Sequence, residues 1–140
     1  MSLSAAEIAQ VVASLQGLVG AVVQKLWLPE PKTVVLRLRG GGRTCDLLIS
    51  AEPGLARLHL LVETRRPRGE PTPAQAVLRR ALEGRRLTAI EQWQSDRVVG
   101  LCFEGRAGES RTLVAELTGV HGNLFLLDGT GRILHTAVPN

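Results

Sequence analysis

Residues 33–50 read Thr-Val-Val-Leu-Arg-Leu-Arg-Gly-Gly-Gly-Arg-Thr-Cys-Asp-Leu-Leu-Ile-Ser, and this stretch decides the fold class. Val34, Leu36 and Leu38 alternate with Thr33, Val35, Arg37 and Arg39, so the first set faces an interior and the second a more polar side. Glycine accepts positive φ at no steric cost, so Gly40-Gly41-Gly42 turns the chain back on itself into a second strand over 44–50. The seed is an antiparallel hairpin.

Working outward, the same pattern of short apolar runs broken by turn residues predicts strands over 21–28, 57–63, 87–93, 98–104, 111–117, 123–128 and 132–138. Pro29 and Pro31 end the first of these, and 105–108 and 128–131 are hairpin loops. Two helices interrupt the strands. Ser4-Ala5-Ala6-Glu7 is a capping box, followed by Ile8, Val11, Val12 and Leu15 on one face and a stop near Gly17. Thr72-Pro73-Ala74-Gln75 reads as a second capping box. Its helix carries an apolar stripe of Ala74, Val77, Leu78, Ala81 and Leu82, with Gly84 as C-cap and Arg79, Arg80 and Glu83 turned to solvent. Residues 65–71 are the most polar, turn-rich stretch and are expected to form a mobile loop. The fold class is therefore α+β: an antiparallel β-sandwich or half-open barrel edged by two helices. Residues 1–140 form one domain, and because the last strand runs into the terminus the chain is expected to be the first part of a longer protein or a stand-alone form.

Composition narrows the functional classes. Fifteen of the seventeen basic residues are arginine, the net charge is +4 and the pI about 10.0. Between Arg57 and Arg86 eight arginines face three acids (Glu63, Glu70 and Glu83), so the local excess of +5 exceeds that of the whole chain. Arg65, Arg66 and Arg68 in the loop, with Arg79, Arg80, Arg85 and Arg86 around the second helix, are candidates for a patch that tracks phosphates. The competing reading is a solvated helix face with cations at its C-terminal end. The four aromatics, Trp27, Trp93, Phe103 and Phe125, are too few for a sheet that stacks several bases. Cys45 and Cys102 stand apart inside apolar runs and read as buried free thiols of a reducing cytosol. No signal peptide or membrane-length apolar run is present, so a cytoplasmic protein without a membrane partner is expected.

No catalytic constellation assembles. His59, His121 and His135 lie on different elements without metal-ligand spacing, the glycine run lacks the Gly-Lys-Ser/Thr of a phosphate loop, and Ser50 is followed by Ala-Glu-Pro where a nucleophile elbow needs a Gly-led helix. No metal, cofactor or small-molecule substrate is implied.

Five segments carry a family resemblance. They are Ser4-Ala5-Ala6-Glu7-Ile8 leading to Leu18-Val19-Gly20-Ala21; Ser50-Ala51 with Ala56-Arg57-Leu58-His59-Leu60; and Leu78-Arg79-Arg80-Ala81-Leu82-Glu83-Gly84. The last two are Ile90-Glu91-Gln92 with Asp96-Arg97-Val98-Val99, and the run from Ala115 to Leu126, containing Gly119-Val120-His121-Gly122-Asn123. In this order they resemble the amino-terminal NFACT domain of the RqcH-type ribosome quality-control factors, once described as fibronectin-binding proteins. The resemblance implies a fold similar to the amino-terminal β-sandwich domain of formamidopyrimidine-DNA glycosylases. It further implies a non-catalytic role in recruiting tRNA to stalled large ribosomal subunits, with rRNA and ribosomal proteins as partners, for untemplated extension of the nascent chain. The family's Asp-Arg pair carries over onto Asp96 and Arg97, and an acidic residue of its first helix onto Glu7. For Asp96 and Arg97 two readings stand: an exposed arginine that grips phosphate or a base, or a structural pair that holds the turn. Glu7 is already explained by its capping box. Val120 and Gly122 depart from the family's usual Arg or Lys and Ser, and the family's helix-hairpin-helix, coiled-coil and carboxy-terminal segments are not in this sequence. Two other functional classes remain beside RNA binding: a protein-interaction or adhesion domain, and a glycosylase-like enzyme. The chain starts Met1-Ser2-Leu3, without the amino-terminal Pro-Glu that a glycosylase needs.

Overall fold

The computed structural model describes residues 2–62 and 71–139. Along the chain run helix α1 (Ala5–Ser14), strands β1 (Val22–Glu30), β2 (Thr33–Gly40), β3 (Arg43–Ser50) and β4 (Arg57–Leu60), then helix α2 (Pro73–Leu82). Strands β5 (Arg86–Gln92), β6 (Val98–Glu104), β7 (Ser110–Glu116), β8 (Asn123–Asp128) and β9 (Ile133–Thr136) complete it. The loop expected over 65–71 lies, except for Pro71, outside the described residues. No helix among the described residues is long and apolar enough to cross a membrane.

The hairpin of residues 33–50 forms as read. Gly40 pairs with Arg43 across a two-residue turn in which Gly41 and Gly42 take φ of 57° and 76°, and Leu36 pairs with Leu47 on the inward side. The antiparallel α+β class with two helices holds, and where a sandwich or half-open barrel was expected the strands form one nine-stranded open sheet in the order β4-β3-β2-β1-β5-β6-β7-β8-β9. It consists of two meanders joined where Val22 pairs with Arg86, reinforced by backbone bonds from Val23 N–H to Arg85 O and from Leu87 N–H to Ala21 O. So short a junction leaves no periodic trace in the sequence. Inward side chains of both meanders, including Leu26, Leu36, Ile49, Leu101, Phe103 and Leu126, meet Ile8 and Val12 of α1 and Leu78 and Leu82 of α2 in a single core.

Beyond Val23 no strand among the described residues pairs with the second edge of β1, and α2 takes that place with a polar stripe. Gln75, Arg79 and Glu83 recur every four residues and so share one helix face. Gln75 Oε1 accepts from Leu28 N–H (2.9 Å), Glu83 Oε2 from Leu26 N–H (2.9 Å), and Arg79 Nε donates to Leu26 O (2.7 Å). Arg79 and Glu83 also form an ion pair at 3.7 Å. β1 continues through Pro29 to Glu30 at a register shift against β2 between Trp27 and Glu30, where a missing N–H interrupts no regular ladder. The polar stripe of α2 corrects the expectation that Arg79 and Glu83 face solvent. It also undoes half of the second capping box. Thr72 Oγ1 accepts from Gln75 N–H, but the Gln75 side chain goes to β1 instead of back to the cap. Val77, expected on the apolar stripe, is exposed.

Candidate nucleic-acid interface

The β5–β6 connection holds the Asp96-Arg97 pair, and its geometry is constrained. Trp93 N–H donates to Val98 O (2.8 Å) and Asp96 N–H to Trp93 O (3.0 Å), closing a turn whose central residues, Gln94 and Ser95, both have positive φ, 53° and 54°. Two non-glycine residues in the left-handed region store strain. Arg97 is then held by its backbone on both sides: Asp96 Oδ1 accepts its N–H (2.7 Å), and its carbonyl accepts from Leu117 N–H (2.7 Å). Asp96 is exposed and Arg97 half-buried. Among the described residues no ion pair joins their side chains, so Asp96 acts on the Arg97 backbone and leaves the guanidinium available.

Three chain segments converge on this turn. Gln92 Nε2 donates to Asp96 O and to Ala5 O, both at 2.8 Å, which ties the turn to the first turn of α1 through one side chain. Glu7 lies on that turn of α1, in the expected capping box: Ser4 N–H donates to Glu7 Oε1 (3.0 Å) and Glu7 N–H to Ser4 Oγ (3.2 Å). The Ser4 backbone N–H, helped by the Ser4 hydroxyl, holds the Glu7 carboxyl below the usual glutamate value of 4.5. Leu117, bonded to Arg97, leads directly into the Gly119–His121 turn. Val120 is 75% exposed there and His121 is exposed. Gly122 closes this loop against the backbone. A Cβ at 122 would lie 2.7 Å from Ala51 O, 2.9 Å from Glu116 O and 3.0 Å from Gly119 O, so the place held by Ser in the family pattern admits no side chain here. Asn123 then anchors the last segment, its amide donating to Thr136 Oγ1 and Val138 O.

The candidate patch arginines differ in how they are held. Arg65, Arg66 and Arg68 lie outside the described residues. Arg79 is bound to β1 as described. Arg85, 13% exposed, donates to Ala81 O and Glu109 O (2.6 Å each) and pairs with the Glu109 carboxylate at 3.3 Å. Arg86 is exposed but donates to Gly20 O (2.6 Å), and Arg80 is the exposed member on α2. Of these four, Arg79, Arg85 and Arg86 thus direct guanidinium donors to backbone carbonyls.

Sequence reasoning missed two residues. One is Gln92, whose bridging role depends on the helix start and the turn meeting in space. The other is Trp93, whose indole edge rests on Gly100: a Cβ there would come within 2.6 Å of Nε1 and 2.7 Å of Cε2 and Cζ2. Gly100, a glycine inside the apolar strand run 98–104, was the available signal, since such a glycine marks a close approach. His59, His121 and His135 stay apart, and among the described residues no three metal-ligating side chains converge. Cys45 and Cys102 are free but half-buried, and burial raises the Cys45 thiol above its usual value.

The family model described as NFACT N-terminal and middle domains matches residues 5–138. The chain is 32% identical over 115 residues to the Rqc2 homolog RqcH of Streptococcus pneumoniae, covering 79% of this chain and 21% of that protein. It is 28% identical over 121 residues to the Rqc2 homolog RqcH of Bacillus subtilis, covering 84% and 21%. It thus spans about a fifth of the length of the curated relatives it matches. The crystal structure of the N-terminal domain of the fibronectin-binding protein PavA from Streptococcus pneumoniae superposes with a TM-score of 0.88 at 29% identity, covering 96% of this chain and 53% of that one.

Proposed function

Because the chain belongs to the NFACT family, whose matched relatives are ribosome quality-control factors, we propose that it is a non-catalytic, cytoplasmic RNA-contacting module that helps recruit tRNA to stalled large ribosomal subunits. The observation that carries this reading is the Asp96-Arg97 turn. Its backbone is fixed from two sides, so the Arg97 guanidinium can be aimed without a loss of loop entropy on binding. Glu7 and the Gly119–His121 loop flank it, tied by Gln92 and Leu117. Arg97 serves as the phosphate or base contact, while Asp96 and Glu7 act mainly by shaping the surface around it. The tailing activity of a whole factor, its substrates and its partners are part of the same proposal.

The test is a tRNA-binding titration at several salt concentrations with parent and Arg97→Ala. Both backbone bonds of residue 97 survive the substitution, so the melting temperature is expected to hold. Affinity should fall, and the slope of log K against log[salt] should flatten by about one ion. Unchanged binding at every salt concentration would remove Arg97 from the interface. A second reading, binding of fibronectin, has one specific support, the structural likeness to a fibronectin-binding protein. Retention on immobilised fibronectin that is indifferent to Arg97→Ala would favour it.

A further inference from the structure

Trp27 and Trp93 stand on the outward faces of the two meanders, and their surroundings differ in one respect. At Trp27 the Arg37 guanidinium lies 4.9 Å from the ring centroid and makes a two-pronged contact with the buried Asp46 carboxylate, at 3.0 and 3.1 Å. Aromatic ring, guanidinium and carboxylate are all present. At Trp93 the ring and the carboxylates are present without the cation. Trp93, Gln94, Asp96, Val114 and Glu116 border an open cavity of about 550 Å³ on the outer face of β6 and β7. Among the described residues no lysine or arginine borders it, although fifteen of this chain's residues are arginine. Among the described residues neither Asp96 nor Glu116 has an ion-pair partner.

We propose that this cavity receives the guanidinium of an arginine carried on a basic segment of a protein partner. A planar cation can lie along the Trp93 indole while its N–H groups reach Glu116 and the Asp96 oxygen not engaged by Arg97 N–H, reproducing at an interface the arrangement that Trp27, Arg37 and Asp46 form within the fold. Two carboxylates at the rim disfavour an approaching phosphodiester, so a nucleobase with its attached phosphate fits less well. The compact ammonium of lysine would gain the charge term but not the two-pronged contact or the flat stacking. This inference shares Asp96 and its turn with the tRNA reading but makes no use of Arg97, so the two are tested separately.

The experiment follows the two indole N–H resonances of the isotopically labelled protein while a blocked Gly-Arg-Gly peptide is added. The Trp93 resonance should shift and saturate in the millimolar range, as expected for one side chain, and Trp27 should stay put because its face is already occupied. The same peptide with citrulline in place of arginine, which keeps shape and loses charge, should leave Trp93 unmoved, as should cytidine monophosphate. Glu116→Gln, nearly isosteric and on the surface, should weaken the arginine peptide by about fivefold without changing the fold. An equal response to citrulline, a stronger response to the nucleotide, full affinity in Glu116→Gln or no shift at all would each overturn the proposal. Loss of tRNA binding in Arg97→Ala would be unaffected by any of these results.

Discussion

Replacing Gln75 by alanine tests the claim that α2 substitutes for a strand along β1. Gln75 is 8% exposed and its Oε1 is the acceptor for Leu28 N–H at 2.9 Å in a buried setting. Alanine keeps the helix, and the N-cap bond survives because Thr72 Oγ1 accepts from the backbone N–H of residue 75. What is lost is one acceptor, leaving a buried donor unpaired at a cost of about 2 kcal/mol. For a chain of this size that corresponds to a fall in Tm of roughly 6–8 °C. Amide exchange gives the local readout: if opening at Leu28 becomes easier by that amount, its exchange rate should rise roughly 30-fold. Val77→Ala is the control, since Val77 lies on the same helix but is exposed and bonds nothing. If Gln75→Ala melts like Val77→Ala and the Leu28 amide exchanges no faster, water reaches that edge and the polar stripe does not seal it.

Three further outcomes can be stated more briefly. Gln94→Gly relieves a left-handed φ of 53° and should stabilise the protein by about 1 kcal/mol in thermal melts; a lower Tm would show that the Gln94 side chain compensates for the strain. Gly122→Ser places a Cβ among three carbonyl oxygens at 2.7–3.0 Å and should destabilise by roughly 1–3 kcal/mol, whereas an unchanged melt would mean that the Gly119–His121 turn relaxes. The depressed Glu7 carboxyl contributes stability that is present above its unfolded value and is lost as pH falls through its lower folded value. The Tm gap between parent and Glu7→Gln should therefore be widest near neutrality and close in acid; a gap that persists there would separate the capping box from the Glu7 charge.

The hairpin was legible because its information is local. Alternation set the faces of 33–39, and three glycines set the turn. Both helix starts were legible for the same reason, a side-chain oxygen answering an N–H three residues on. The errors arose where a distant backbone was the deciding partner. Arg79 and Glu83 looked like solvent-facing charges because an i,i+4 ion pair is an ordinary surface feature. Nothing in the helix reveals that Leu26, more than fifty positions earlier, presents an unpaired N–H and C=O to them. Likewise the joining of the meanders rests on Val22 and Arg86, and no strand pattern records which edge meets which. At the candidate interface the Asp96-Arg97 turn could be found by resemblance, but Gln92 could not. Its amide acts only because Ala5 and Asp96 are brought to the same place.

This bears on how the cationic character of the chain should be used. Net charge counts each arginine as an equal source of attraction for phosphate, yet a guanidinium whose N–H groups are aimed at carbonyls is already oriented and partly screened. Arg79 and Arg85 are in that condition, and Arg85 is further paired with Glu109, an acid outside 57–86, so the excess counted along that stretch overstates the field that a polyanion would meet there. Steering by the whole surface is then a weaker basis for RNA recognition than one well-placed contact, and the two make different predictions for salt. Diffuse attraction would give a slope spread over many arginines, each substitution changing it slightly. A site centred on the 93–98 turn would concentrate the change at Arg97 and leave Arg79→Met and Arg85→Met to act on stability alone.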